Sequence, residues 1–139
     1  MTVTAQFKFS GPLFTGPKSK VRGPMEAAVR ELVGDGESKL AKILSPRPSG
    51  VYLSVAQAGR NASKGNYRGN LSTQFKGLHG TITDGGVVYG PWLEGLSSRN
   101  RTTRFEGYMS FRKVAQFLQR NALKVVQSHI NKMVRNLGG

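Results

Sequence analysis

The 139-residue chain has no cysteine and only 7 acidic residues against 21 Lys and Arg. Without cysteine there are no disulfide staples, no thiolate nucleophile and no Cys-based zinc or iron–sulfur site, which points to synthesis in a reducing cytosol. No run of about 18 apolar residues occurs, and the opening MTVTAQFKFSGP lacks a basic segment followed by an apolar one. Membrane spanning and secretion are therefore not expected. Acids are too few and too scattered to suggest acid–base catalysis. Glu26, Glu31, Asp35 and Glu37 fall on one predicted helix and read as solvated charges, and Asp84 sits in a predicted turn. Glu94 and Glu106 flank an arginine cluster, where salt bridging is the simpler role. His129 has no acid within five residues and His79 none nearer than Asp84, five away, and no HExxH, GxSxG or GxxxxGK[ST] motif is present. The expectation is a chain that is not an enzyme and has no metal or cofactor.

What the sequence does have is a formal charge of +14, with 37% apolar residues, 18 Gly and 6 Pro. That is enough apolar content for one folded domain spanning 1–139, interrupted by many turns. Residues 1–24 carry +4, 25–45 carry −1, 46–80 carry +5, 81–98 carry −2 and 99–139 carry +8. The charge thus concentrates in loops and at the C-terminal end.

Val3, Ala5, Phe7 and Phe9 alternate with polar residues, predicting a first strand followed by a basic arm to residue 23. Gly23-Pro24 opens a predicted helix over about 24–44, because proline in the first turn sacrifices no hydrogen bond. Its stripe of Met25, Ala28, Val29, Leu32, Val33, Leu40, Ile43 and Leu44 runs through Gly34-Asp35-Gly36, so one kinked helix is expected, with two short helices as the alternative. Val51, Leu53 and Val55 predict a second strand, Leu71–Phe75 and Gly80–Thr83 two more. Asp84-Gly85-Gly86 predicts a hairpin turn into Val87-Val88-Tyr89. Residues 57–69 and 96–107 are expected to be mobile loops rich in basic and small residues. Phe111, Val114, Leu118, Ala122, Val125, Ile130, Met133 and Leu137 predict a long last helix over about 110–137, with Ser110 capping its start and Gly138 its end. The fold class is α+β: a small antiparallel sheet packed against these two helices, with long basic loops.

Three short stretches, in this order and spacing, carry a resemblance. Ser49-Gly50-Val51-Tyr52, then Tyr89-Gly90-Pro91-Trp92-Leu93-Glu94-Gly95, then Arg104-Phe105-Glu106-Gly107-Tyr108 leading to Phe111-Arg112 are similar to a family of siphophage tail components. These are the tail-completion, head–tail joining or neck connector proteins. The family's frequent Pro-Phe signature before the last helix is replaced here by the Arg104 to Tyr108 segment. The resemblance covers residues 20–139. It implies a structural virion protein of a tailed bacteriophage, assembled in the host cytoplasm, without catalysis or cofactor. The expected assembly is a homohexameric ring in the neck, between the head connector or stopper and the tail-tube or terminator proteins. A tail terminator ring capping the tube is the alternative within the same class, and a basic nucleic-acid-binding protein the alternative from another class.

Under this reading the subunit and ring contacts are Arg60, Lys64, Tyr67, Arg68, Tyr89, Trp92, Glu94, Arg99, Arg101, Arg104, Phe105 and Tyr108. Trp92 fits either core packing or an interface hot spot. Lys18, Lys20, Arg22, Arg120, Lys124 and Arg135 are candidates to meet acidic partners or genome DNA in the ring lumen. The net +14 reads as a specification for partners, protein first and DNA second.

Overall fold

In the computed structural model, residues 1–6, 20–44, 67 and 70–138 are described. The expected strand at 51–55, the Ser49–Tyr52 stretch, Lys18, Arg60, Lys64, Arg68, Phe7 and Phe9 lie outside these residues, as does nearly all of the 57–69 loop. The elements run β1 (Thr2–Gln6), α1 (Arg22–Ile43), β2 (Ser72–Lys76), β3 (His79–Thr83), α2 (Gly90–Leu93), α3 (Arg99–Thr103) and α4 (Ser110–Gly138). The fold is α+β: a three-stranded antiparallel sheet in the order β1-β3-β2, packed on an antiparallel helix pair.

Helix α1 begins two residues before Pro24, which therefore sits in the first turn, where its missing N–H has no partner to lose. The helix runs unbroken through Gly34-Asp35-Gly36. Packing explains Gly36. A Cβ there would stand 2.7 Å from Ile82 Cδ1 and 3.2 Å from Leu118 Cδ1, so this glycine lets α1, α4 and β3 converge. The apolar stripe of α1 is buried as its periodicity predicts, with Met25, Ala28, Val29, Leu32, Val33 and Leu40 nearly inaccessible. Facing it from α4 are Phe111, Val114, Leu118, Val125 and Val126, and from the sheet Val3 and Ile82, which are register partners. Past Val126 the α4 stripe is only partly covered, half-buried at Ile130 and Met133 and exposed at Leu137; Leu123 and Val134, off the stripe, are exposed as well.

The hairpin differs from expectation. Strands β2 and β3 are joined through Gly77-Leu78, with Lys76 opposite His79 and Thr73 opposite Ile82. Asp84-Gly85-Gly86 instead ends β3. The Gly86 N–H donates to Asp84 Oδ1 at 3.0 Å, closing a side-chain-mediated turn, and the chain continues through Val87–Tyr89 into the short helix α2. Both neighbours of β3 are already taken by β1 and β2, so Val87-Val88-Tyr89 has no place beside it in the sheet. Pro91 immediately afterwards favours a helical first turn. Val88 is left 96% exposed.

Candidate functional site

Residues 84–111 form a knuckle in which almost every bend is tied to another part of the chain. At its base lies Asp84, fully buried. Its carboxylate pairs with the Met1 α-amine at 2.6 Å, accepts the Tyr67 hydroxyl at 3.1 Å and accepts the Gly86 N–H. The expected turn acid is thus a buried anchor. Burial first, then the Asp84 charge and hydrogen bond, push the Tyr67 hydroxyl well above the usual tyrosine range, so it acts here as a donor. The Tyr67 ring meets that of Tyr89, with centroids 5.8 Å apart.

Above this base, α2 delivers Glu94 to the start of α4. Glu94 is 4% exposed, and its carboxylate accepts the backbone N–H groups of Ser110 at 2.9 Å and Phe111 at 3.1 Å, together with the Ser110 hydroxyl. The first N–H groups of a helix lack internal partners and carry the positive end of its dipole, so a carboxylate there satisfies donors and charge together. The cap of α4 comes from Glu94, sixteen residues upstream, and not from Ser110, which lies inside the helix and donates its hydroxyl to the same acid. Nor is Glu94 bridged to an arginine, as its sequence neighbours suggested.

The remaining ties close the loop between α2 and α4. Asn100 on α3 donates through Nδ2 to the carbonyls of Trp92 at 2.8 Å and Phe105 at 2.7 Å, and its Oδ1 accepts the Ser97 N–H. The Trp92 indole N–H donates to Thr103 Oγ1, and its ring packs on Phe105 at 4.7 Å, with Tyr108 edge-on to Phe105 at 5.0 Å. Gly95 and Gly107 take φ of +81° and +87° with their backbones in contact, so a Cβ on either would enter the other strand of the loop. The 96–107 segment, expected to be a loop, contains the one-turn helix α3.

The expected contact residues therefore divide. Tyr67, Glu94 and Tyr108 are buried, and Tyr89, Trp92 and Phe105 are half-buried in the knuckle. Arg99, Arg101 and Arg104 are exposed on it and make no ion pair among the described residues. Lys20 and Arg22 are exposed near the start of α1, with Arg22 paired to Glu26 one turn on at 2.8 Å. Arg120, Lys124 and Arg135 lie exposed on α4. His129, with no acid near it in sequence, meets Glu31 of α1 at 2.6 Å. Asn100 and Asp84 are the two organising residues that sequence reasoning did not place. Nothing in its sequence neighbours marks Asn100, and Asp84 reads there only as a turn former.

Among the described residues no cluster of three or more His, Asp or Glu side chains could hold a metal ion, and no helix is long and apolar enough to cross a membrane. The fold and knuckle define an α+β chain that presents arginines from an internally bonded platform. Comparison with known protein families, curated proteins and solved structures finds no match to this chain.

Proposed function

We propose that the chain is a structural subunit of a tailed-phage neck, forming a homohexameric ring that joins the head connector to the tail tube. The observation that carries this reading is the convergence of two of the three resembling stretches. Tyr89–Gly95 and Arg104–Phe111, separate in sequence, meet in one knuckle through the Glu94 cap, the Leu93 carbonyl accepting Tyr108 N–H, and the Trp92–Phe105–Tyr108 stack. Such a construction suits work done by contact. It holds Arg99, Arg101 and Arg104 on a surface while Asp84 and Glu94 are engaged in the fold and Glu106 alone of its three acids is exposed, so the arginines outnumber the free acid and an acidic surface on a neighbouring ring is the complementary partner.

The test is assembly. Sedimentation of the purified protein at high concentration should show a closed oligomer, or the subunit should co-assemble with connector or tail-tube proteins in a salt-sensitive manner. A protein that stays monomeric and joins neither partner would overturn the proposal. Locating the subunit in an image of the particle separates a joining ring from a terminator at the end of the tube.

A further inference from the structure

Helix α4 carries a second basic surface, unlike the knuckle in every respect but charge. Its 29 residues include Arg112, Lys113, Arg120, Lys124, Lys132 and Arg135 and no acid. None of these six cations has an ion-pair partner among the described residues. At 3.6 residues per turn, Lys113, Arg120, Lys124 and Arg135 fall within an arc of about 60°, turned away from the buried side. All four are exposed. Lys113 and Arg120 share an open cleft of about 290 Å³ with Lys39 of α1, which adds a further cation beside them.

We propose that this ridge is a docking surface for the phosphate backbone of double-stranded DNA. Three observations select that partner. First, Asn131 lies between the cations and Gln116 and Gln127 along their border, amides of the kind that join Lys and Arg in contacting phosphates. Second, Lys113 and Arg135 are separated along a continuous helix by about 33 Å, close to the repeat of one duplex turn, so a stiff rod can meet a stiff partner at both ends. Third, a surface for single strands needs exposed aromatic platforms for stacking. The one aromatic on this side, Phe117, is half-buried, with Lys39 Nζ placed over its ring at 5.6 Å. A protein partner would call for apolar anchors within the charged patch. The exposed Leu123, Val134 and Leu137 border the ridge and do not interrupt its cations. The contact is sequence-blind, because nothing in it is aimed at base edges.

This inference does not depend on the neck proposal. Duplex binding is read on the purified chain, whereas the neck reading stands or falls on assembly. The experiment is fluorescence anisotropy of a labelled DNA duplex across a salt titration, compared with a single strand of the same length and with a polyglutamate peptide. The duplex should bind most tightly, with a log–log salt slope of about 3 to 4 for four neutralised phosphates. The variant Lys113→Gln/Arg120→Gln/Lys124→Gln/Arg135→Gln should lose at least ~10-fold in affinity at low salt and most of the slope. Arg99→Gln/Arg101→Gln/Arg104→Gln should stay within about twofold of the parent, as it leaves the ridge phosphate contacts intact. The charge-preserving exchange Lys113→Arg/Arg120→Lys/Lys124→Arg/Arg135→Lys should retain binding. As a check on the unmutated protein, duplex should protect Lys113 and Lys124 from acetylation. Binding of polyglutamate as tight as duplex would assign the ridge to an acidic protein and overturn the proposal. So would a ridge variant with unchanged duplex affinity, or lysines unprotected by bound duplex.

Discussion

The knuckle and the helix pair solve the same problem, holding exposed cations in place, by opposite means. In the helix pair the force is side-chain packing: α1 and α4 bury aliphatic stripes against each other, and few directional bonds cross between them, His129 to Glu31 being one. In the knuckle an aromatic stack and the buried Leu93 supply some packing, but the path of the chain is set by named hydrogen bonds through Asp84, Glu94 and Asn100. The two differ in how they fail. Packing weakens gradually as methylenes are removed, whereas a buried polar tie that loses one partner leaves the other unsatisfied in a medium that penalises it. The ridge on α4 can therefore lose charges without consequence for the fold, while the knuckle's arginines depend on a scaffold that single substitutions can undo.

The sharpest way to break this comparison is Glu94→Ala. It strips the α4 N-terminus of its acceptor and leaves the Ser110 and Phe111 N–H groups and the Ser110 hydroxyl buried without a partner. The expected loss is about 3 kcal/mol, read as a fall in the urea midpoint at constant slope. Glu94→Gln keeps one acceptor and should recover part of it. A loss under about 1 kcal/mol would mean that the knuckle is held by packing after all.

Tyr67→Phe is the next step down, removing one of three bonds to Asp84 while leaving the ring against Tyr89. At neutral pH the cost should be about 1.5–3 kcal/mol, the range for a hydrogen bond to a charged acceptor. The folded state holds the Tyr67 proton to a higher pH than the unfolded chain does, its affinity raised by burial and by Asp84. Above pH ~10, where an unfolded tyrosine ionises, the unfolded chain therefore binds fewer protons than the folded one, and stability falls as pH rises. Tyr67→Phe has no such proton, so its stability should fall less steeply over that range, measured by denaturant titration at stepped pH. Parallel curves for the two proteins would contradict the buried, Asp84-bonded placement.

The parts legible in the sequence are those that packing decides. The stripes of α1 and α4 emerge because a helix buried on one side must repeat its apolar residues near every 3.6 positions, and Val3 opposite Ile82 follows the strand alternation equally well. The knuckle was not legible, because its logic is not periodic. Glu94 caps a helix sixteen residues away, and Asp84 meets the amine of Met1 at the end of the β1–β3 ladder, its neighbour in space but at the other end of the sheet's sequence. Nothing in their neighbours announces such a partner. The misplaced hairpin has the same origin. Asp-Gly-Gly is a turn in either case, and only knowledge that β1 occupies the far side of β3 shows that no strand can return there. Gly36 was read as a helix interruption because its neighbours in space, Ile82 and Leu118, are remote in sequence.

The two glycines of α1 give the finest test, since they share a helix and differ only in surroundings. At Gly34 an added Cβ meets nothing within 4 Å, and the backbone is helical, so Gly34→Ala removes unfolded-state freedom without steric cost. It should stabilise by about 0.5–1 kcal/mol. Gly36→Ala gains the same propensity, but its methyl must displace Cδ1 of the fully buried Ile82 and press on Leu118. Overpacking of this kind costs about 1–3 kcal/mol, which outweighs the gain and leaves a net destabilisation of about 1 kcal/mol. Thermal melts should move in opposite directions, by about 3 °C each way for a chain of this size. If Gly36→Ala also melted higher, the convergence of α1, α4 and β3 would be looser than their contacts indicate. The contrast between a helix pair fixed by packing and a knuckle fixed by bonds would then lose its first term.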